Sequence, residues 1–136
     1  MRAQWLAVSA VALSLVMAAP VEAQEAAAQA SGPTVDEGGV GTGVVDRALQ
    51  GMAESFPATV ATLYCFTRIG HTEAGATVEH VWYFNDQEVA RKELTVGGSP
   101  WRTWSSKTIP AEATGAWRVD VVAGGTVIKS FAFTVQ

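Results

Sequence analysis

The sequence predicts an all-β domain, an antiparallel β-sandwich of about seven strands. Three observations predict it. Short segments alternating apolar and polar residues recur between turn signals, as they do in strands with one buried face. Four of the five Trp lie in three such segments, His80–Phe84, Trp101–Ser106 and Gly115–Val121. No segment makes a convincing helix. Regular turn spacing of this kind fits a sandwich of immunoglobulin or fibronectin type.

Taken in order, the chain opens with an export signal over residues 1–23. Arg2 supplies the positive end, Leu6 to Met17 is an apolar run broken only by Ser9 and Ser14, and Val21-Glu22-Ala23 follows Pro20 as a cleavage site. The run falls short of the about 20 apolar residues a membrane span needs. The expected product is periplasmic or extracellular, with no membrane insertion of the mature chain; the alternative is a chain anchored by an uncleaved N-terminus. Residues 24–43 are rich in Ala, Gly, Gln and acids and hold no aromatic residue, a composition that buries too little surface to offset ordering. They are expected to be a flexible tether to a domain spanning 44–136.

Within that domain the first strand is expected between Val44 and Met52, and Glu54–Pro57 is a connection. Thr59–Ile69 follows as a central strand, because Leu63 and Cys65 on one face and Tyr64 and Phe66 on the other are all apolar. Thr77–Phe84 and Glu88–Val96 form a hairpin across Asn85-Asp86-Gln87, with His80, Trp82 and Phe84 sharing a face. Gly97–Pro100 breaks the chain before Trp101–Ile109. Ala116–Val122 has the clearest pattern: Trp117, Val119 and Val121 point to the core, and Arg118 and Asp120 to a wet face. A tight turn at Ala123–Thr126 leads into Val127–Val135, whose Val127, Phe131, Phe133 and Val135 share a face with Lys129 at an edge. Trp82 and Trp117 are the expected core anchors.

Composition narrows the function. A net charge of −4 with singly scattered Lys and Arg argues against nucleic acid as a partner. One cysteine, Cys65, permits no internal disulfide, and its apolar string marks it as a small buried hydrophobe rather than a catalytic thiol or an intermolecular bridge. Phosphate-loop, nucleophile-elbow and zinc-protease motifs do not occur. Glu79 and His80 face opposite sides of one strand and cannot share an ion. No cofactor, metal or catalytic residue is expected, with a small enzyme using Cys65 or His80 as the alternative.

Four strings, Leu63–Thr67, His80–Phe84, Trp101–Lys107 and Gly115–Val119, together resemble the bacterial domain-of-unknown-function family 2914 over about residues 44–136. The resemblance implies a β-rich module of cell-envelope proteins and brings no activity and no catalytic residues. Binding is the better-supported expectation. Trp101 and Trp104 are three apart, so a regular strand puts them on opposite faces and leaves at least one outside the core; a bulge would admit both. Trp104 shares its face with Arg102 and Ser106 and is the one expected to be exposed. Trp101, Arg102, Trp104, Ser106 and Lys107, with His80, form the candidate binding set for an envelope protein or glycan. A purely structural spacer is the third reading, and the oligomeric state is open.

Overall fold

A computed structural model describes residues 32–136 as ten strands with no helix. The expected signal, 1–23, and residues 24–31 of the expected tether lie outside the described residues. The strands are β1 Thr34–Gly41, β2 Gly43–Val45, β3 Ala48–Gln50, β4 Ser55–Phe56, β5 Thr62–Gly70, β6 Thr77–Phe84, β7 Gln87–Thr95, β8 Trp101–Thr108, β9 Gly115–Ala123 and β10 Thr126–Val135. One sheet has the order β1-β5-β8 and the other β4-β10-β9-β6-β7, while β2 and β3 form a separate hairpin. All pairs are antiparallel except β4 with β10. The expected sandwich is present, and its last six strands match the sequence reading within a few residues at each end.

The differences lie in the first third. Residues 34–41, expected as tether, form β1 on the edge of β5, with Val40 buried. The glycines that suggested flexibility serve close approach instead. A Cβ on Gly38 would meet the Phe131 ring at 2.6 Å, and one on Gly39 would meet Met52 Sδ at 2.6 Å. β1 is thus a contact surface for β10 on one side and for the β2–β3 hairpin on the other. The single strand expected over Val44–Met52 folds back at Asp46-Arg47, giving that hairpin. Phe56, expected in a connection, is 3 % exposed and packs edge-on to Phe133 at 5.8 Å.

Alternation decides what enters the core. β5 is central to its sheet and contributes Leu63, Cys65 and Ile69, all fully buried. From β6 come Val78, His80 and Trp82, and from β9 Trp117, Val119 and Val121. Phe133 joins the aromatic layer, stacked on Trp117 at 6.0 Å and edge-on to Trp82 at 6.4 Å. A bulge between Val127 and Lys129 changes the outcome for β10: Val127 is exposed, and Ile128 packs inward in its place.

The outer face of β9 is less wet than its pattern implies. Asp120 is only 7 % exposed, accepting from Arg118 Nε at 3.0 Å and Ser130 Oγ at 2.7 Å. Arg118 also pairs with Asp86 and lies over the Tyr83 ring at 4.3 Å. Removing Arg118 therefore leaves a buried carboxylate with Ser130 as its one remaining side-chain donor.

Trp117 Nε1 donates to the Ala113 carbonyl at 3.0 Å, so its loss removes a hydrogen bond as well as a ring. Trp117→Ala should cost about 3–5 kcal/mol in denaturant unfolding. Arg118→Ala should cost measurably less, but more than nothing. Equal losses would mean that the inner and outer faces of β9 are misassigned.

Candidate functional site

β8 pairs with β5 in unbroken register from Thr62–Thr108 to Ile69–Trp101. No bulge intervenes, so alternation along β8 is strict. Thr103 and Ser105 point inward and are buried; Arg102, Trp104 and Ser106 point outward and are exposed. Trp104 is 39 % exposed and lies nearly parallel to Phe66, its register partner, with ring centroids 6.4 Å apart. Phe66 is thereby buried on the outer side of its sheet. Trp101, at the strand's start, is 38 % exposed, and its indole covers Gly97 so closely that a Cβ there would meet ring carbons. Both Trp of the pair are on the surface, to equal extents.

Inward-pointing Ser105 enters a polar cluster between the sheets. His80 Nδ1 lies 2.7 Å from Ser105 Oγ, His80 Nε2 lies 3.1 Å from Thr67 Oγ1, and Trp82 Nε1 donates to Ser105 Oγ at 3.3 Å. With the ring proton on Nε2, each bond has a donor: Trp82 to Ser105, Ser105 to His80, His80 to Thr67. His80 and Thr67 are fully buried. His80 therefore does not join the surface candidates; its place is in the core. Burial lowers its pKa to about 4 and keeps the ring neutral. Cys65 is also fully buried, and burial pushes its thiol well above its ordinary pKa.

The surface set divides. Trp101, Arg102 and Trp104 line one depression of about 400 Å3 together with Arg47, Arg68 and Pro100. Ser106 lies on the other side of Trp104, bordering a depression with Tyr64 and the β7 residues Arg91, Lys92 and Glu93. Lys107 is half-buried and donates to the Thr108 carbonyl at 2.9 Å, apart from the arginines. Two residues went unnamed in the sequence reading. Arg68 is the next outward position of β5 after Tyr64 and Phe66, so the period of two carried a signal for it. Arg47 sits at the hairpin tip, and only the hairpin itself brings it over β5 and β8. Among the described residues, no three His, Cys, Asp or Glu side chains are grouped to hold a metal ion.

The buried imidazole has a consequence for pH. Its folded pKa lies below its unfolded value of 6.5, so the unfolded chain takes up the proton first. Its contribution is complete above about pH 6.5 and is lost as pH falls toward 4, about 3 kcal/mol in all. His80→Gln should flatten that part of the stability profile measured by denaturant unfolding between pH 7 and 4, leaving only the carboxylate slope common to both proteins. Superimposable slopes would show that His80 titrates normally in the fold.

Comparison with known proteins bears on the fold. An immunoglobulin-like protein from Pseudomonas aeruginosa, solved as a crystal structure, aligns with a TM-score of 0.55 over 76 % of this chain and 96 % of its own, at 14 % identity. At that identity the likeness concerns architecture alone. No curated protein matches the chain. The Leu63–Thr67 string falls outside the family match, which begins in the loop before β6. Residues 75–135 match the model of the family described as Protein of unknown function (DUF2914), and the stretch from β6 to β10 is the part of this chain that carries the family's pattern.

Proposed function

We propose that the domain is a non-catalytic interaction module of the bacterial cell envelope that binds a protein or glycan through the outer face of β8. The observation that carries this reading is Trp104. A large apolar ring is left 39 % exposed mid-strand, braced against Phe66 and flanked on its own face by Arg102 and Ser106. Such an aromatic plate with donors beside it is the composition of a binding hot spot. Export rests on the sequence alone, on Arg2, the Leu6–Met17 run and Val21-Glu22-Ala23.

An enzymatic reading has less beneath it. Cys65 is enclosed and its thiol is held protonated. The His80–Ser105 contact has the reach of a base and a nucleophile. Yet the Ser105 hydroxyl is engaged by His80 and Trp82 between the sheets, and both of those side chains are fully buried.

Crosslinking in envelope extracts would supply the partner. Trp104→Ala should then weaken its binding by roughly thirtyfold, equivalent to about 2 kcal/mol, a loss larger than the modest drop in melting temperature that uncovering Phe66 brings. Trp101→Ala should lower the melting temperature more, because its ring closes over Gly97. In single-Trp variants, acrylamide should quench Trp104 more than Trp117. The reverse order, or undiminished binding by Trp104→Ala, would refute the proposal.

A further inference from the structure

Arg68 and Arg102 are register partners on neighbouring strands, and Arg102 lies on the outward face. Like charges directly opposite each other destabilise a sheet. Arg47 adds a third guanidinium to the same depression, which Trp101 and Trp104 also line. Among the described residues, the ion pairs involve only Arg91 and Arg118, so none of these three arginines is paired. The nearest carboxylate by register is Glu37, the β1 partner of Arg68, and it bridges to none of them. A chain of net charge −4 has gathered three of its nine Lys and Arg around one depression, with Glu37 as the carboxylate beside them, opposite Arg68 by register and lining a neighbouring depression with Arg47 and Arg102.

The backbone at Arg47 adds an independent sign. Asp46 and Arg47 form the two-residue turn between β2 and β3 with φ of 50° and 61°. A turn with positive φ at both positions favours Asn or Asp followed by Gly. Asp46 fits; Arg47 stands where glycine costs least. A residue held in a sparsely populated region while its side chain joins a surface cluster marks a position kept for its side chain.

We infer that this depression binds an acidic polysaccharide, with uronate carboxylates on Arg47, Arg68 and Arg102 and sugar rings against Trp104 and Trp101; this rests on the reading of the β8 outer face as the binding surface. Guanidinium forks match carboxylates in two-point geometry. The indole of Trp104, already fixed by Phe66, offers a flat plate to the C–H face of a sugar at small entropic cost. Charge and plate occur together in a uronate chain, since each unit carries both a ring and a carboxylate. An acidic peptide fits less well. A peptide added to a sheet uses a free edge, and the free edge of β8 borders β7, where Arg91, Lys92 and Glu93 mix both signs. A volume of about 400 Å3 lies at the small end of ligand sites, as suits a chain crossing an open face rather than an enclosed molecule.

The test is calorimetric titration of the described domain within the full chain, using tetragalacturonate, its methyl ester and hexaglutamate as probes. Tetragalacturonate should bind, more weakly as salt is raised, and at least about tenfold more tightly than either comparison probe. Arg68→Gln with Arg102→Gln should remove at least about tenfold of that affinity. Arg47→Gly should weaken binding while leaving the melting temperature equal or higher, because glycine relieves the turn. Equal binding of the ester would overturn the acidic requirement while leaving the Trp104 surface intact as a binding face. Equal binding of hexaglutamate would overturn the glycan in favour of an acidic protein. No binding of tetragalacturonate at about 5 mM would overturn the inference outright, whereas the crosslinking result with Trp104→Ala judges the broader reading separately. An Arg47→Gly protein that loses stability but keeps its affinity would also count against it.

Discussion

The contact between His80 Nδ1 on β6 and Ser105 Oγ on β8, 2.7 Å long, joins the two sheets where neither can slip. Around it the core is apolar: one cluster gathers Leu63, Cys65, Trp82, Trp117 and Phe133, and a second gathers Ile69, Val78, Val96 and Val121. The polar group of His80, Thr67, Ser105 and Trp82 Nε1 lies between the sheets with its ring nitrogens matched. An unpaired donor or acceptor in such surroundings costs on the order of a few kcal/mol, so the arrangement tolerates one register of β5, β6 and β8 and penalises its neighbours. Apolar contacts alone are less selective, because Val and Leu repack more readily than hydrogen bonds realign.

That constraint reaches the surface by alternation. If Ser105 must face His80, Trp104 and Ser106 must face out, and Arg102 with them. A one-residue slip of β8 would bury Trp104 and Arg102 together and expose Thr103 and Ser105. The outward position of Trp104 is therefore a consequence of the core, and Phe66 makes use of it as cover. The β2–β3 hairpin completes the face by resting on the glycines of β1 and presenting Arg47 over the sheet. The result is a fixed aromatic plate on β8, bordered by Arg68 and Arg102 on strands and Arg47 on a tight turn, which would limit the ordering cost of the proposed binding.

Much of the fold was legible in the sequence because the period of two is strong from β5 onward. Trp117-Arg118-Val119-Asp120-Val121 announces its strand and its inner face, and Trp82 and Trp117 are the anchors that their patterns indicated. The first third was not legible for a physical reason. In β1 the contacts are made through glycines, whose lack of a side chain looks the same in a tether as in a close-packed strand. Asp120 was misread as solvated because its cover comes from Arg118 two residues away and Ser130 on β10, and no local pattern encodes both. His80 was read as sharing a face with Trp82 yet was counted among the binding candidates, because the partners that hold it in the core, Thr67 and Ser105, come from the opposite sheet. Trp104 and Arg102 were visible through alternation; their meeting with Arg47 depends on where a hairpin docks.

The most direct measurement of the central contact is nitrogen NMR of the His80 imidazole, in the native protein and in Ser105→Ala. The account predicts two widely separated ring-nitrogen signals at neutral pH, one protonated and one bare, unchanged down to about pH 5. Ser105→Ala should shift the Nδ1 signal and raise the titration midpoint or broaden the tautomer. Averaged nitrogen signals with an ordinary midpoint near 6.5, indifferent to Ser105→Ala, would contradict the contact and with it the reason that Trp104 faces outward.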